Sequence, residues 1–165
     1  MSTLRVNNVQ NTSGTNILGQ VLQVAIVQQD TLIQTSATGN YHSSLPTISQ
    51  GVEVLSTSFT PLSSGSTLIF HYTDYAYTSS NGAQNNLRAL FEGNTCIAAV
   101  APRDHMNGET VNTTVIHMSK ASGSTSARTY SVRVSAHNGY NIKVNGYPRY
   151  AGVPQTCLQI TEISG

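Results

Sequence analysis

This sequence has little charge. Lys and Arg number 8 and Asp and Glu 7, together 9% of 165 residues, against about 25% in ordinary soluble domains. The formal net charge is +1, so there is no basic field to hold a phosphate backbone or an anionic bilayer, and nucleic acid is not an expected partner. A net charge near zero also removes repulsion between copies, which suits a subunit of an assembly. No apolar run approaches the ~18 residues of a membrane span, and no charged start is followed by an apolar segment of the secretory type. The expectation is a chain made in the cytoplasm that stays soluble, without membrane insertion. Cysteine is equally scarce: Cys96 and Cys157 lie far apart, each inside a β-like run. They read as buried thiols, and whether they pair is left open, since a disulfide needs an oxidising compartment. The sequons at Asn11 and Asn112 mean little without a secretory route.

Catalytic signatures are also missing. There is no GxSxG, no Walker loop and no HExxH. The acids Asp30, Glu53, Asp74, Glu92, Asp104, Glu109 and Glu162 are too few for convergent acid–base chemistry, and most fall in or beside apparent turns. No enzyme activity and no cofactor are expected. Among the histidines His42, His71, His105, His117 and His137, the nearest pairings are His71 with Asp74 and Asp104 with His105. Neither spacing matches an established ligand motif, so no metal site is assigned within one chain. A metal shared on a symmetry axis stays open, because one ligand per chain becomes three in a trimer.

What is present is alternation. In SARTYSVRVSAHNGYNIKVNG, Ser126 to Gly146, the residues Tyr130, Val132, Val134 and Ala136 share one side and Thr129, Ser131, Arg133 and Ser135 the other, the period of a β-strand. After His137-Asn138-Gly139 the pattern restarts with Tyr140, Ile142 and Val144, which reads as a hairpin closed by an Asn-Gly loop. Val132, Val134, Ile142 and Val144 are expected core. ILGQVLQVAIV, VEVLSTSFTPL, TLIFHYTDYAYT, LRALFEGNTCIAAVAP with a turn at Glu92-Gly93-Asn94-Thr95, VNTTVIHMSK and CLQITEIS supply further strands, while PRDHMNGE and ASGSTSA read as loops. Leu68, Phe70 and Tyr72, and less firmly Tyr75, are expected near the core. No helix longer than about two turns is credible. The expected architecture is all-β, an antiparallel β-sandwich or jelly roll spanning 17–165, without internal repeats.

Residues 1–16, MSTLRVNNVQNTSGTN, are polar with Leu4, Val6 and Val9 as isolated apolar points. They cannot form a core of their own and are expected to be an extended arm for attachment or oligomerisation. Tyrosines stand beside amides and a guanidinium at two places: Tyr75 and Tyr77 near SSNGAQNN, and Tyr140, Tyr147 and Tyr150 near Asn141, Asn145 and Arg149. Rings that stack on C–H faces next to groups that bond hydroxyls suit glycan recognition. The same tyrosines equally suit core and intersubunit packing.

TVIHMSKASGSTSARTYSVRVSAHNGYNIKVNG followed by LQITEIS resembles the end of a C-terminal domain found in many bacteriophage tail-fibre and related virion proteins. That group has a Ser/Thr-rich loop, a strand centred on Thr-Tyr, a strand ending in Asn and a last strand ending in Glu-Ile. LRVNNVQNTSGTNILGQVLQV and STSFTPLSSGSTLIFHY resemble its lead-in and its first strands. The resemblance implies a homotrimeric, jelly-roll-like virion protein. It carries no functional residues. Two roles are compatible with it: a short tail fibre whose tip meets host surface glycans while residues 1–16 join other virion proteins of the tail or baseplate, and a decoration protein on the capsid. A cellular lectin-like module is a third reading.

Overall fold

The computed structural model describes residues 19–39, 44–136, 140–146 and 155–165, with side chains described outside 79–85 and 103–110. Alternating apolar residues and β-branched content produce nine strands and no helix among the described residues. In chain order they are β1 (Val21–Gln29), β2 (Ile33–Thr35), β3 (Val52–Phe59), β4 (Thr67–Glu92), β5 (Thr95–Val100), β6 (Arg103–Ala121), β7 (Arg128–Ala136), β8 (Ile142–Val144) and β9 (Thr156–Ile163). All pairings between them are antiparallel.

β4 is 26 residues long, several times the usual ~5–6, and it serves both sheets. Its first part, through Thr78, is flanked on one side by β6 and on the other by β9 and then β8; β1 lies beyond β9, and β2 beyond β8. Its last part, Asn86 to Glu92, lies between β5 and β7, with β3 beyond β7. The two halves of one strand thus belong to the two layers of a β-sandwich, and the expected fold class holds.

The core fills the space between the layers. Leu68, Phe70 and Tyr72 from the first half of β4, Leu90 from the second, Val132 and Val134 from β7, Ile142 and Val144 from β8, and Leu158 and Ile160 from β9 all have 0% exposure. Phe70 and Tyr130 meet across the layers with ring centroids 4.9 Å apart, within the range of favourable aromatic pairs. The four core positions expected from the alternation in β7 and β8 are therefore buried. Ser131 and Ser135 on the other face of β7 are buried as well, and the chain at Gly39 and Gly51 packs against Ser135.

Three expectations are corrected. The segment 126–146 is not a hairpin: β7 pairs with β3 and β4 in one layer, β8 with β2 and β4 in the other. The chain crosses the sandwich between them, and residues 137–139 lie outside the described residues. PRDHMNGE is not a loop but the start of β6, paired from Arg103 opposite Asn85 onward. TLIFHYTDYAYT and the strand starting at LRALFE are one strand, because β6 continues the ladder through the polar stretch that separates them. The turn at Gly93-Asn94 is as expected, with Gly93 at φ 55°, a conformation a side chain would strain. The arm 1–16, with Leu4, Val6 and Val9, lies outside the described residues.

Asp74 and Arg88, one in each half of β4, are both fully removed from solvent and joined by a 2.7 Å contact from Arg88 Nε to Asp74 Oδ2. The Tyr72 hydroxyl donates to the same oxygen at 2.9 Å, and the Thr114 amide of β6 to Oδ1 at 3.3 Å. Burial, then the Asp74 charge, holds the Tyr72 phenol well above its ordinary pKa despite Arg88, so it remains a donor. Removing one partner strands the other charge in the core. Asp74→Ala should cost about 3–5 kcal/mol, measured as a fall in the urea midpoint; a loss below about 1 kcal/mol would contradict this account of the pair.

Candidate functional surface

The outer face of the first layer is set by register. Directly opposed residues in an antiparallel sheet share a face, so the pairings define rows across β1, β9, β4 and β6. One row is Val24, Thr161, Ile69, Ser119; the next is Ile26, Gln159, His71, His117; the next is Gln28, Cys157, Thr73, Val115. No Lys, Arg, Asp or Glu occurs in these rows. The residues alternate with the core positions Leu68, Phe70, Tyr72 and Leu158, Ile160, and each is exposed or half-exposed. Ile26 is 59% exposed, Val24 49% and Val115 49%, on a surface whose remaining groups are the Ile69 side chain, hydroxyls, amides, a thiol and two imidazoles. Such a surface can be covered without desolvating a charge.

The tyrosine candidates sort unevenly. β8 pairs with Ala76 to Thr78 of β4, so Tyr75, Tyr77, Tyr140 and Asn141 fall near one end of the first layer. Tyr77 is buried, and the Lys143 ammonium lies 5.5 Å from its ring centroid; its ring belongs to the packing rather than to a binding surface. Tyr75 and Tyr140 are half-buried and Asn141 is exposed. Tyr147, Arg149 and Tyr150 lie outside the described residues. Asn145, with φ 61°, is a buried clamp: its side-chain amide donates to the carbonyls of Gln29 at 3.0 Å and Thr31 at 3.3 Å and accepts from Thr156 Oγ1 at 2.7 Å, while its backbone amide donates to Tyr75 O at 3.0 Å. Asparagine tolerates this left-handed conformation better than other side chains do.

Of the two histidine–aspartate neighbours in the sequence, only His71 and Asp74 have described side chains, and the strand keeps them apart. His71 and Asp74 sit an odd number of positions apart on β4, so one faces out and the other in. His71 instead stands opposite His117 of β6, with ring centroids 5.7 Å apart. His42 and His137 lie outside the described residues, and the side chains of Asp104 and His105 are not described. Cys96 is buried beside Phe91 and Cys157 lies on the outer face; both are free thiols.

Two further acids, Glu162 and Glu92, act as latches. Glu162, fully buried on β9, accepts from Ser66 Oγ at 2.5 Å, Gln23 Nε2 at 2.6 Å and the amides of Leu62 and Ser63 at 2.9 and 3.0 Å, binding the 61–66 turn to β9 and β1. Glu92 accepts from Lys120, from Arg128 Nη1 at 2.6 Å and from the Tyr130 hydroxyl at 3.2 Å. For both carboxylates burial alone would raise the pKa, but the donors outweigh it and hold each below the ordinary glutamate value. Tyr130, by burial and then the Glu92 charge, is pushed up to about 12.

The sequence matches no family model and no curated protein. Among solved structures, the chain is similar to the infectious bursal disease virus Gt strain particle at 10% identity and a TM-score of 0.48, covering 98% of this chain and 43% of that one. It is similar to the VP2 subviral particle of the same virus at 11% identity and a TM-score of 0.40, covering 97% of this chain and 43% of that one. The chain thus spans less than half the length of these capsid-particle chains. A likeness of this degree carries no functional argument, and the fold class rests on the strand pairings above.

A carboxylate with a depressed folded pKa stabilises above its unfolded value, about 4.3, and that contribution is lost as pH falls through the folded value. The unfolding free energy should therefore be level from pH 7 to about 5 and decline below about 4.3. In Glu162→Gln the neutral-pH stability should be lower and the acid decline shallower. Urea midpoints measured from pH 7 to 3 test this, and an unchanged acid slope in the variant would contradict it.

Proposed function

We propose that this chain is a structural subunit of a bacteriophage virion, a short homotrimeric tail fibre whose β-sandwich meets the host surface. The observation that carries the reading is the outer face of β1, β9, β4 and β6, without a fixed charge in its rows and with Ile26 and Val24 exposed. Charged residues are depleted from interface cores because covering them costs desolvation. A repeated head-to-tail contact closes into a ring when its rotation permits. The residue-level resemblance, over most of the chain, to tail-fibre and related virion proteins supports the virion role. Residues 1–16 supply attachment to other virion proteins, and the end of the layer that carries Tyr75, Tyr140 and Asn141 is where host glycans would bind.

Light scattering at micromolar concentration should give three chains per particle for the full chain and a monomer for Ile26→Lys. A wild-type monomer would remove the oligomer. Immunogold labelling of virions should mark the tail; label on the head would make the protein a capsid decoration subunit instead. Tyr140→Ala should weaken adsorption to host cells several-fold, the scale of one aromatic contact worth about 0.5–1.5 kcal/mol, with the oligomer intact. Adsorption equal to wild type would take the glycan site away from this end.

A further inference from the structure

We propose that His71 and His117 form a two-imidazole site for a divalent transition-metal ion on the outer face of the first layer. The two residues are directly opposed on adjacent antiparallel strands, a position where Cβ atoms lie about 4.5–5.5 Å apart and side chains extend from the same face. Their ring centroids are 5.7 Å apart with planes 31° from parallel. One ion bound at about 2.0–2.1 Å by a nitrogen of each ring holds two such rings with centroids roughly 5–6 Å apart, so small side-chain rotations suffice. In the single chain both side chains are exposed, and among the described residues neither imidazole has a hydrogen-bond partner. Their nitrogens are therefore free for a ligand.

The surroundings suit an ion that keeps water ligands. A shallow hollow of about 300 Å³, lined by Ile69, His117, Met118 and Ser119, opens beside the pair. The flanking rows hold no ammonium or guanidinium to repel a cation and no carboxylate to favour hard ions such as Mg²⁺ or Ca²⁺. Two neutral nitrogens without a carboxylate select the imidazole-preferring ions, Zn²⁺, Cu²⁺ or Ni²⁺. Both ligands stand on paired strands, and their backbones are fixed by the β4–β6 ladder before any ion arrives, so little ordering opposes binding.

Zn²⁺ titrated into the full chain by calorimetry, with the imidazole resonances followed by NMR, tests the site. His71 and His117 signals should shift together. His71→Asn and His117→Asn should each weaken binding by more than about tenfold, the least that loss of even a supporting partner costs at such sites. Gln159→Ala, next to His71 in the same row, should bind as wild type. In the Ile26→Lys monomer, where both positions are exposed, both histidine variants should keep the metal-free unfolding midpoint. Retention of wild-type affinity in the double variant His71→Asn/His117→Asn, or no Zn²⁺ binding to the wild-type chain at millimolar metal, would overturn the proposal.

Discussion

The ion pair of Asp74 and Arg88 is the contact on which the rest of the sandwich depends. β4 runs through both layers, and its two halves could in principle separate wherever the strand turns from one sheet to the other. A carboxylate in one half and a guanidinium in the other, both fully buried and joined at 2.7 Å, oppose that separation, because parting them leaves two uncompensated charges in an apolar core. The other strands hang on this spine: β6 and β9 pair along its first half, β7 and β5 along its second. In a chain with so few charges, spending two of them inside the core makes the pair a device for specifying how the layers face each other.

Glu162 and Glu92 follow the same logic at the rims. Glu162 draws the turn after β3 onto the last strand, and Glu92 joins the end of β4 to Lys120 of β6 and Arg128 of β7. Asn145 ties the end of β1 to β8, β9 and β4 through neutral hydrogen bonds. With the polar strength placed in the core and at these rims, the three outer rows across β1, β9, β4 and β6 are left without fixed charge, Lys143 of β8 lying beyond them against Tyr77. Those rows are what the proposed assembly uses.

Much of this was legible in the sequence, for a definite reason. Strand alternation is local, so the buried positions of β7, β8 and β9 and the turn at Gly93-Asn94 could be read directly. Pairing is not local: an Asn-Gly loop between two alternating runs suggests a hairpin, and nothing nearby shows that β7 and β8 instead belong to different layers. The polar stretch between Thr78 and Asn86 concealed the continuity of β4, since the ladder that sustains it comes from β6. The internal acids did leave a signal. Asp74 follows Leu68, Phe70 and Tyr72 on one face, and Glu162 follows Leu158 and Ile160, so each is a lone carboxylate on an apolar stripe and must find partners inside. The His71–His117 pair left none, because it exists only through the β4–β6 register.

The central claim is that the two halves of β4 form one cooperative unit. Native-state hydrogen exchange under conditions where reclosing is fast measures the opening free energy at each amide. Amides at Phe70 and Tyr72 in the first layer and at Leu90 and Val132 in the second should exchange with one common value, equal to the global unfolding free energy. A second layer that opens at distinctly lower free energy while the first stays protected would contradict the account.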